Sequence, residues 1–233
     1  ACTGRGRAGA YNALGPIGEA LRERKSPGVF LNGLLVYGPD GEVLSQQFVP
    51  NEVATVVASF ADEHGLSLVG FSGDRIVCST CDEWTDTFSA IKEPAPEALG
   101  VPWSQIIKDE MLNKLILVGD ENRLAALRPL LAERLGDSAA ITMAIKTMLE
   151  VLPPGGSKGA GVQKLLQCLG IHPENVMAMG DAENDLGMLE LAGLSVAMGN
   201  APESVQRVAD HVSSSNSEDG AAKALNRFIL GQE

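Results

Sequence analysis

The last third of this 233-residue chain alternates short apolar runs with amphipathic helical patterns, and this alternation limits the possible folds more than any other feature. Residues 176–179 form an unbroken apolar run, which is typical of a strand buried on both faces. Before this run, the apolar residues of 162–169 lie on one face of a helix that Ser157 is suited to begin and Gly170 to end. A second apolar run follows at 194–197. The alternation predicts an α/β fold with a parallel sheet covered by helices.

The middle of the chain follows a different pattern. Asp40-Gly41 lies between two apolar runs and predicts a hairpin, and further strand patterns alternate with helical stripes. Two prolines and two glycines at 153–156 mark a loop that re-enters the core. We therefore predict a mixed α/β insert over residues 48–146, inside a parallel α/β core made of residues 1–47 and 147–233. The predicted strands of this middle part cover residues 34–37, 43–44, 68–71, 75–78, 115–118, 140–142 and 148–151.

Composition narrows the class of protein. A hydrophobic content of 45% is that of a globular chain and excludes disorder. Lysine and arginine number 18 against 30 acidic residues, so the net charge is −12 and we expect no nucleic-acid partner. No apolar run approaches the length of about 18 residues that spans a membrane, so we expect no membrane partner. Four cysteines in a chain of this kind predict a soluble protein of a reducing, intracellular compartment.

An acidic turn follows the buried run directly. Asp181, Glu183, Asn184 and Asp185 lie within five residues, at the carboxyl end of a strand, where ligands bind in open α/β sheets. Hard oxygen ligands of this kind suit Mg²⁺ shared with a phosphate. The alternative is a plain helix start, with Asp181 as its cap and the other acids near its positive end.

Two further segments favour an anion. Lys158 follows two glycines at a predicted helix N-terminus, where an ammonium and free backbone amides stabilise a transferring phosphoryl group. Thr3-Gly4-Arg5 places a hydroxyl near the first helix, where it can bind a phosphate oxygen. The alternatives are a solvated lysine and an ordinary cap. After another apolar run, Asp120 lacks an acid four residues later, so we interpret it as a helix cap.

Together these segments resemble the haloacid dehalogenase superfamily, in particular its Cof-type phosphatases with a C2-type cap. Thr3-Gly4-Arg5 is similar to the second motif, Lys158 stands at the position of the third-motif lysine, and residues 180–185 resemble the fourth motif. Residues 26–38 resemble plant plastid Cof-type domains, including those fused behind an endoribonuclease domain. Further similar segments are Asn32-Gly33, residues 196–201 and residues 215–220.

The resemblance implies a Rossmann-like core with an inserted C2-type cap, and a Mg²⁺-dependent phosphatase that hydrolyses a small phosphorylated metabolite through an aspartyl-phosphate. It implies catalytic roles for Thr3 and Lys158, which hold the transferring oxygens, and phosphate binding by Thr3, Gly4, Lys158 and Asn184, where the Asn184 amide meets phosphate or a metal-bound water. It implies Mg²⁺ ligation by Asp181 and by Asp185, which alternatively orients Lys158. Fusion to, or assembly with, another domain follows from the plastid resemblance, and the compartment is then the cytoplasm or the plastid stroma.

The chain departs from the family at the first motif. Asp-x-Asp-Gly-Thr normally precedes the second motif, but only Ala1 and Cys2 precede Thr3. We therefore expect the first core strand and the nucleophilic aspartate to be missing, and little or no turnover from these 233 residues. A non-catalytic binding or assembly module and a phosphomutase are the alternatives.

Overall fold

The computed structural model describes residues 1–231, which form helices and strands in three sheets. The α-helices are α1 (Arg7–Leu14), α2 (Pro16–Glu23), α3 (Asn51–His64), α4 (Thr87–Ala90), α5 (Trp103–Asp109), α6 (Glu121–Leu135), α7 (Lys158–Leu169), α8 (Leu186–Leu191), α9 (Glu203–Gln206) and α10 (Gly220–Leu225). The strands are β1 (Gly28–Phe30), β2 (Leu35–Tyr37), β3 (Val43–Gln46), β4 (Ser67–Ser72), β5 (Arg75–Cys78), β6 (Glu97–Ala98), β7 (Lys114–Val118), β8 (Ala140–Ile145), β9 (Met148–Leu152), β10 (Met177–Gly180), β11 (Leu194–Ala197) and β12 (His211–Val212). Nowhere in the described range is there a helix with the length and apolarity that a membrane crossing requires.

The C-terminal strands form the predicted parallel sheet, in the order β10-β11-β12. The helix before β10 also begins and ends as predicted. The Ser157 hydroxyl accepts the backbone N–H of Ala160 at 3.1 Å, and Gly170 closes the helix in the left-handed conformation at φ +65°. The predicted α/β class is therefore confirmed for this part of the molecule.

The middle of the chain forms a six-stranded mixed sheet in the order β6-β5-β4-β7-β9-β8, called the mixed sheet below. Because side chains alternate across a strand, the two faces carry different residues. One face packs under α3, α5 and α6 through Leu115, Leu117 and Leu149. The opposite face turns Phe71 and Ile116 toward the rest of the molecule.

The mixed sheet extends beyond the predicted insert. Strand β9, Met148–Leu152, pairs antiparallel with both β7 and β8, whereas the predicted boundary at 147 assigned it to the core. The difference has a simple cause, because an apolar run of five residues fits the interior of either sheet equally well. The sheet ends only where Pro153 and Pro154 begin the re-entry loop.

A third, small sheet connects the N-terminal residues to the parallel layer. β2 and β3 form the hairpin predicted around Asp40-Gly41. Cys2 pairs with Val29 of β1 in a parallel bridge. After β1 the backbone turns through left-handed conformations at Asn32 and Gly33. A Cβ atom at Gly33 would lie 1.9 Å from the Ser157 carbonyl oxygen, so glycine allows this turn to touch the start of α7.

Candidate active site

A cavity of about 530 Å³ lies between the carboxyl end of the parallel sheet and the mixed sheet. We call floor residues those that line it from the parallel-sheet side and roof residues those that line it from the mixed sheet. The floor residues are Thr3, Gly4, Lys158, Asp181 and Asn184, and the roof residues are Phe71, Lys114, Ile116, Met148 and Glu150. Five of the six residues predicted for the site thus line one cavity.

The sixth predicted residue, Asp185, is buried beneath the floor with 4% of its surface exposed. Its Oδ2 accepts the backbone N–H groups of Asp181 and Ala182, each at 3.0 Å. Its Oδ1 accepts the Lys158 ammonium at 2.6 Å. Both oxygens are therefore engaged, which favours the predicted role of orienting Lys158 over that of a metal ligand.

Asp181 has a different environment, although it belongs to the same turn. Its side chain is exposed, and its Oδ2 accepts the side-chain amide of Asn200 at 3.0 Å. The turn N–H groups go to Asp185, so Asp181 does not act as the helix cap. Glu183 points away from the cavity and pairs with Arg128 of α6. Among the three acids of the turn, Asp181 alone lines the cavity.

Lys158 and Thr3 both line the cavity with groups that can donate hydrogen bonds. Lys158 is the first residue of α7 and is 8% exposed. Thr3 is fixed by backbone bonds to Val29 and Asn32, and its Oγ1 accepts the Arg5 N–H at 3.2 Å. Because that oxygen serves as an acceptor here, the hydroxyl proton is left to donate toward the cavity.

A chain of hydrogen bonds sets the orientation of the Asn184 amide. The Glu150 Oε2 accepts Lys114 Nζ at 2.6 Å and Asn32 Nδ2 at 2.7 Å. A carboxylate only accepts, so the Asn32 nitrogen faces Glu150 and its Oδ1 faces Asn184. Asn184 Nδ2 donates to that Oδ1 at 3.0 Å. The remaining Asn184 Oδ1 is buried and has no hydrogen-bond partner among the described residues.

An ion pair between Arg5 and Glu93 closes one end of the cavity. Arg5 Nη1 donates to the Ile91 carbonyl at 2.5 Å and lies 3.3 Å from Glu93 Oε1. The Glu93 side chain is 5% exposed, and a Cβ at Gly9 would lie 2.0 Å from its Oε2. Burial raises the pKa of Glu93, while Lys114 and Arg5 act in the opposite direction.

The sequence predictions missed the roof side of the site. Lys114, Glu150 and Glu93 were not singled out, and Asn32 was noted only for its resemblance to a family segment. One signal was available, since Glu150 is the only charged residue of an otherwise apolar buried strand. A buried charge on a strand requires a partner, but the sequence does not say which residue supplies it.

The floor offers oxygen ligands that fit part of a magnesium site. The Asp181 carboxylate and the unpartnered Asn184 Oδ1 both line the cavity, and carboxylate and amide oxygens suit Mg²⁺. Within residues 1–231 no group of three or more His, Cys, Asp or Glu side chains is placed to hold an ion. Mg²⁺ would therefore take its other ligands from water and phosphate or from residues that this turn does not supply.

The cysteine next to the floor is not an activated nucleophile. Burial raises the pKa of the Cys2 thiol to about 11, against a smaller opposing effect of Lys158. The thiol is therefore protonated at neutral pH, and only the thiolate is an effective nucleophile.

Comparison with known proteins identifies the family. A family model described as haloacid dehalogenase-like hydrolase matches residues 1–225. A crystal structure of a haloacid dehalogenase-like hydrolase from Bacteroides thetaiotaomicron superposes with a TM-score of 0.80 and 29% identity, covering 98% of this chain and 85% of that one. A HAD/COF-like hydrolase from Plasmodium vivax gives a TM-score of 0.87 at 25% identity, covering 99% of this chain and 82% of that one.

Two curated relatives are longer than this chain. It is 37% identical to "Endoribonuclease YBEY, chloroplastic" of Arabidopsis thaliana, over 98% of this chain and 40% of that protein. It is 34% identical to the HMP-PP phosphatase of Cronobacter sakazakii, over 73% of this chain and 61% of that protein. The chain thus spans less than two thirds of either relative. The predicted resemblance and fold class are confirmed, and the chain belongs to the haloacid dehalogenase-like hydrolase family.

Proposed function

We propose that this chain belongs to a Mg²⁺-dependent phosphatase domain that hydrolyses a phosphate monoester of a small metabolite. The observation that carries the proposal is the meeting of Lys158, Asp181 and Thr3 at one cavity. The Lys158 ammonium is held 2.6 Å from Asp185, at the base of the turn that presents Asp181. A phosphoryl group placed there meets a fixed cation, a hydroxyl donor and a carboxylate suited to a metal.

The floor residues have separate tasks in this reaction. Lys158 and Thr3 hold the non-bridging oxygens and stabilise the charge of the transferring group. Gly4 lets the backbone beside the phosphate pack against Asn32, since a Cβ there would lie 2.7 Å from Asn32 Oδ1. Asp185 keeps the ammonium in place by accepting it with one oxygen while the other binds the turn.

In this proposal Asp181 holds the magnesium ion, and the Asn184 Oδ1 contacts it directly or through a bound water. When bound, the ion neutralises phosphate charge and fixes the phosphoryl group for in-line attack. The predicted alternative is a contact between the Asn184 amide and phosphate. It needs no rotation, because Nδ2 donates one N–H to Asn32 Oδ1 and keeps the other, and the bonds from Asn32 and Glu150 hold the amide in this orientation.

The mixed sheet acts as the cap in this proposal. Its roof residues cover the floor, exclude water and surround the leaving group. Lys114 Nζ donates to the Gly4 carbonyl at 2.8 Å, which ties the roof directly to the phosphate loop.

The attacking group of the proposed reaction is an aspartate, which forms an aspartyl-phosphate that water then hydrolyses. The 233 residues contain no Asp-x-Asp sequence. We therefore expect these residues alone to bind phosphate without appreciable turnover. The similarity to the chloroplast relative supports the plastid stroma, and a place as one domain of a longer protein.

The test is phosphate release from the chain as it stands and from a version extended at Ala1 by the upstream coding sequence. We expect Mg²⁺-dependent turnover only from the extended protein, lowered at least about 10³-fold by Asp181→Ala. The matched control is Asp137→Ala, on the surface after α6. An extended protein that carries Asp-x-Asp but is unaffected by Asp181→Ala contradicts the proposal. Phosphate transfer between positions of a sugar, without free phosphate, indicates the phosphomutase instead.

A further inference from the structure

The roof contains a lysine whose contacts are already taken. Lys114 Nζ lies 2.6 Å from Glu150 Oε2 and 2.8 Å from the Gly4 carbonyl oxygen. It also lies 4.6 Å from the centroid of the Phe71 ring. An ammonium has three donors, and its surface here is 3% exposed. Lys114 therefore leaves no cation for a ligand in the roof.

The second cation, Arg5, lies at the end of the cavity next to Ile91 and Glu93, called the leaving-group end below. Its charge is also balanced. Arg5 pairs with Glu93 and with the Ile91 carbonyl through a single nitrogen, Nη1. Its Nε and Nη2 make no hydrogen bond within residues 1–231, and the side chain is 32% exposed. Arg5 thus keeps donors for a neutral acceptor, although its charge is already balanced by Glu93.

The rest of this end of the cavity is apolar. Phe71, Ile116 and Met148 belong to one face of the mixed sheet, and Ile91 and Ile145 lie at the rim. A ligand group seated here exchanges water for hydrocarbon on most sides.

These contacts determine which leaving groups the cavity tolerates. The transferring phosphoryl group uses Lys158 and Thr3 on the floor. A second anionic group on the substrate would face the carboxylates of Glu93 and Glu150, with no unpaired cation to offset it. Such burial of an uncompensated charge is strongly unfavourable.

We infer that the site accepts phosphate monoesters of uncharged, partly apolar alcohols that carry a hydrogen-bond acceptor for Arg5, and rejects bisphosphates and phosphorylated carboxylic acids. This inference rests on the proposed phosphatase function and narrows its substrate class. It assigns Glu93 as a specificity-determining residue, because its carboxylate balances Arg5, which among the described residues is the cation at this end with donors left for the leaving group.

The experiment compares two nearly isosteric probes, 4-(phosphonooxymethyl)benzamide and 4-(phosphonooxymethyl)benzoate, of which the second carries an additional negative charge. It uses the extended protein with Mg²⁺ at pH 8. We expect kcat/KM for the amide to exceed that for the carboxylate at least about 10-fold. A tenfold ratio corresponds to the free energy of one modest interaction between charges.

Two variants test the assignment independently of each other. Glu93→Gln keeps the shape but removes the negative charge beside Arg5, and we expect it to bring the two probes to within about threefold. Ile145→Lys adds a cation at an exposed rim position, 39% accessible in the native protein, and we expect the same direction of change without a folding risk. Glu63→Gln, which removes a surface partner of Arg134 far from the cavity, serves as the control and should leave the ratio unchanged.

The outcomes separate the inference from the function on which it rests. Equal or better turnover of the carboxylate by the native protein overturns the inference and leaves the phosphatase proposal standing. A tenfold preference for the amide that neither Glu93→Gln nor Ile145→Lys reduces overturns the charge argument. Failure to hydrolyse either probe or p-nitrophenyl phosphate overturns the proposed function, and the inference with it.

Discussion

The cavity is bounded by two buried lysine–carboxylate pairs with the same separation but different surroundings. Lys158 and Asp185 on the floor side are 2.6 Å apart, and so are Lys114 and Glu150 on the roof. Asp185 also accepts two N–H groups from its own turn. Glu150 instead accepts the amide of Asn32, and Lys114 reaches the Gly4 carbonyl, so both bonds cross to the floor side.

The comparison shows that two ion pairs of the same kind serve different purposes. The floor pair strengthens a local structure and, in the proposed function, positions a cation for phosphate. The roof pair joins two sheets and sets the direction of the Asn184 amide. A buried ion pair by itself adds little net stability. The contacts that the two residues of each pair make with other groups therefore indicate what the pair does.

The largest expected difference is in turnover. Lys158→Met removes the ammonium that we propose contacts phosphate, and we expect kcat/KM of the extended protein to fall at least about 10³-fold. Lys114→Met removes a lysine that contacts no reacting atom, and we expect a fall of about tenfold or less, mainly in kcat, through the loosened Asn184 amide. Steady-state kinetics on both variants measure this. Equal losses would mean that the roof lysine also contacts substrate.

The next expected difference is in stability, measured as the free energy of unfolding in urea. Each single lysine-to-methionine change leaves a buried carboxylate without its partner, at a cost of about 3 kcal/mol. Adding Glu150→Leu to Lys114→Met should recover about half of that loss, because two apolar residues then face each other. Adding Asp185→Leu to Lys158→Met should recover none, because two turn N–H groups lose their acceptor. Recovery of the same size in both double variants would mean that the floor pair and the roof pair do not differ in this way.

The smallest expected effect concerns the pH dependence of stability. The pKa of Glu93 is raised above its ordinary value of 4.5 by burial. Its contribution to stability is therefore full below pH 4.5 and is lost as the pH rises through the folded-state pKa. Relative to the native protein, Glu93→Gln should gain about 1–3 °C in Tm between pH 5 and pH 8.

A control of opposite sign is available for this last prediction. Arg134 lowers the pKa of Glu63, chiefly through a hydrogen bond, so Glu63 contributes stability above pH 4.5 that is lost as the pH falls. Relative to the native protein, Glu63→Gln should therefore lose Tm as the pH rises from 3 to 5, with little further change up to pH 8. Thermal unfolding of Glu93→Gln at pH 5 and 8 and of Glu63→Gln at pH 3 and 5 checks the signs, and shifts in the same direction would contradict them.

Local sequence patterns were sufficient to predict the local structure of the floor. The apolar strand before Gly180, the cap at Ser157 and the glycine at 170 each act within a few residues, so their geometry follows from short-range chemistry. The convergence of Lys158 with Asp181 came instead from the family resemblance, because Lys158 begins α7 after the mixed sheet has ended and follows no strand of the parallel sheet.

The roof was beyond such prediction, since its contacts join residues far apart in the chain. Asn32 reaches Glu150 across 118 positions and Lys114 reaches Gly4 across 110. No periodicity fixes which strands of a mixed sheet become neighbours, and the same uncertainty misplaced the boundary before Met148. The orientation of the Asn184 amide is harder still to predict, because it is set by Asn32, whose own orientation is set by Glu150.

The bond from Lys114 to the Gly4 carbonyl limits how such a molecule can be rebuilt. It joins a side chain of one sheet to the main chain beneath the other, so it does not depend on which side chain occupies position 4. A chimaera that receives its substrate-covering sheet from a relative must therefore bring its own lysine and carboxylate at these two strand positions. Without them, the transplanted sheet would sit over a floor whose asparagine is free to rotate.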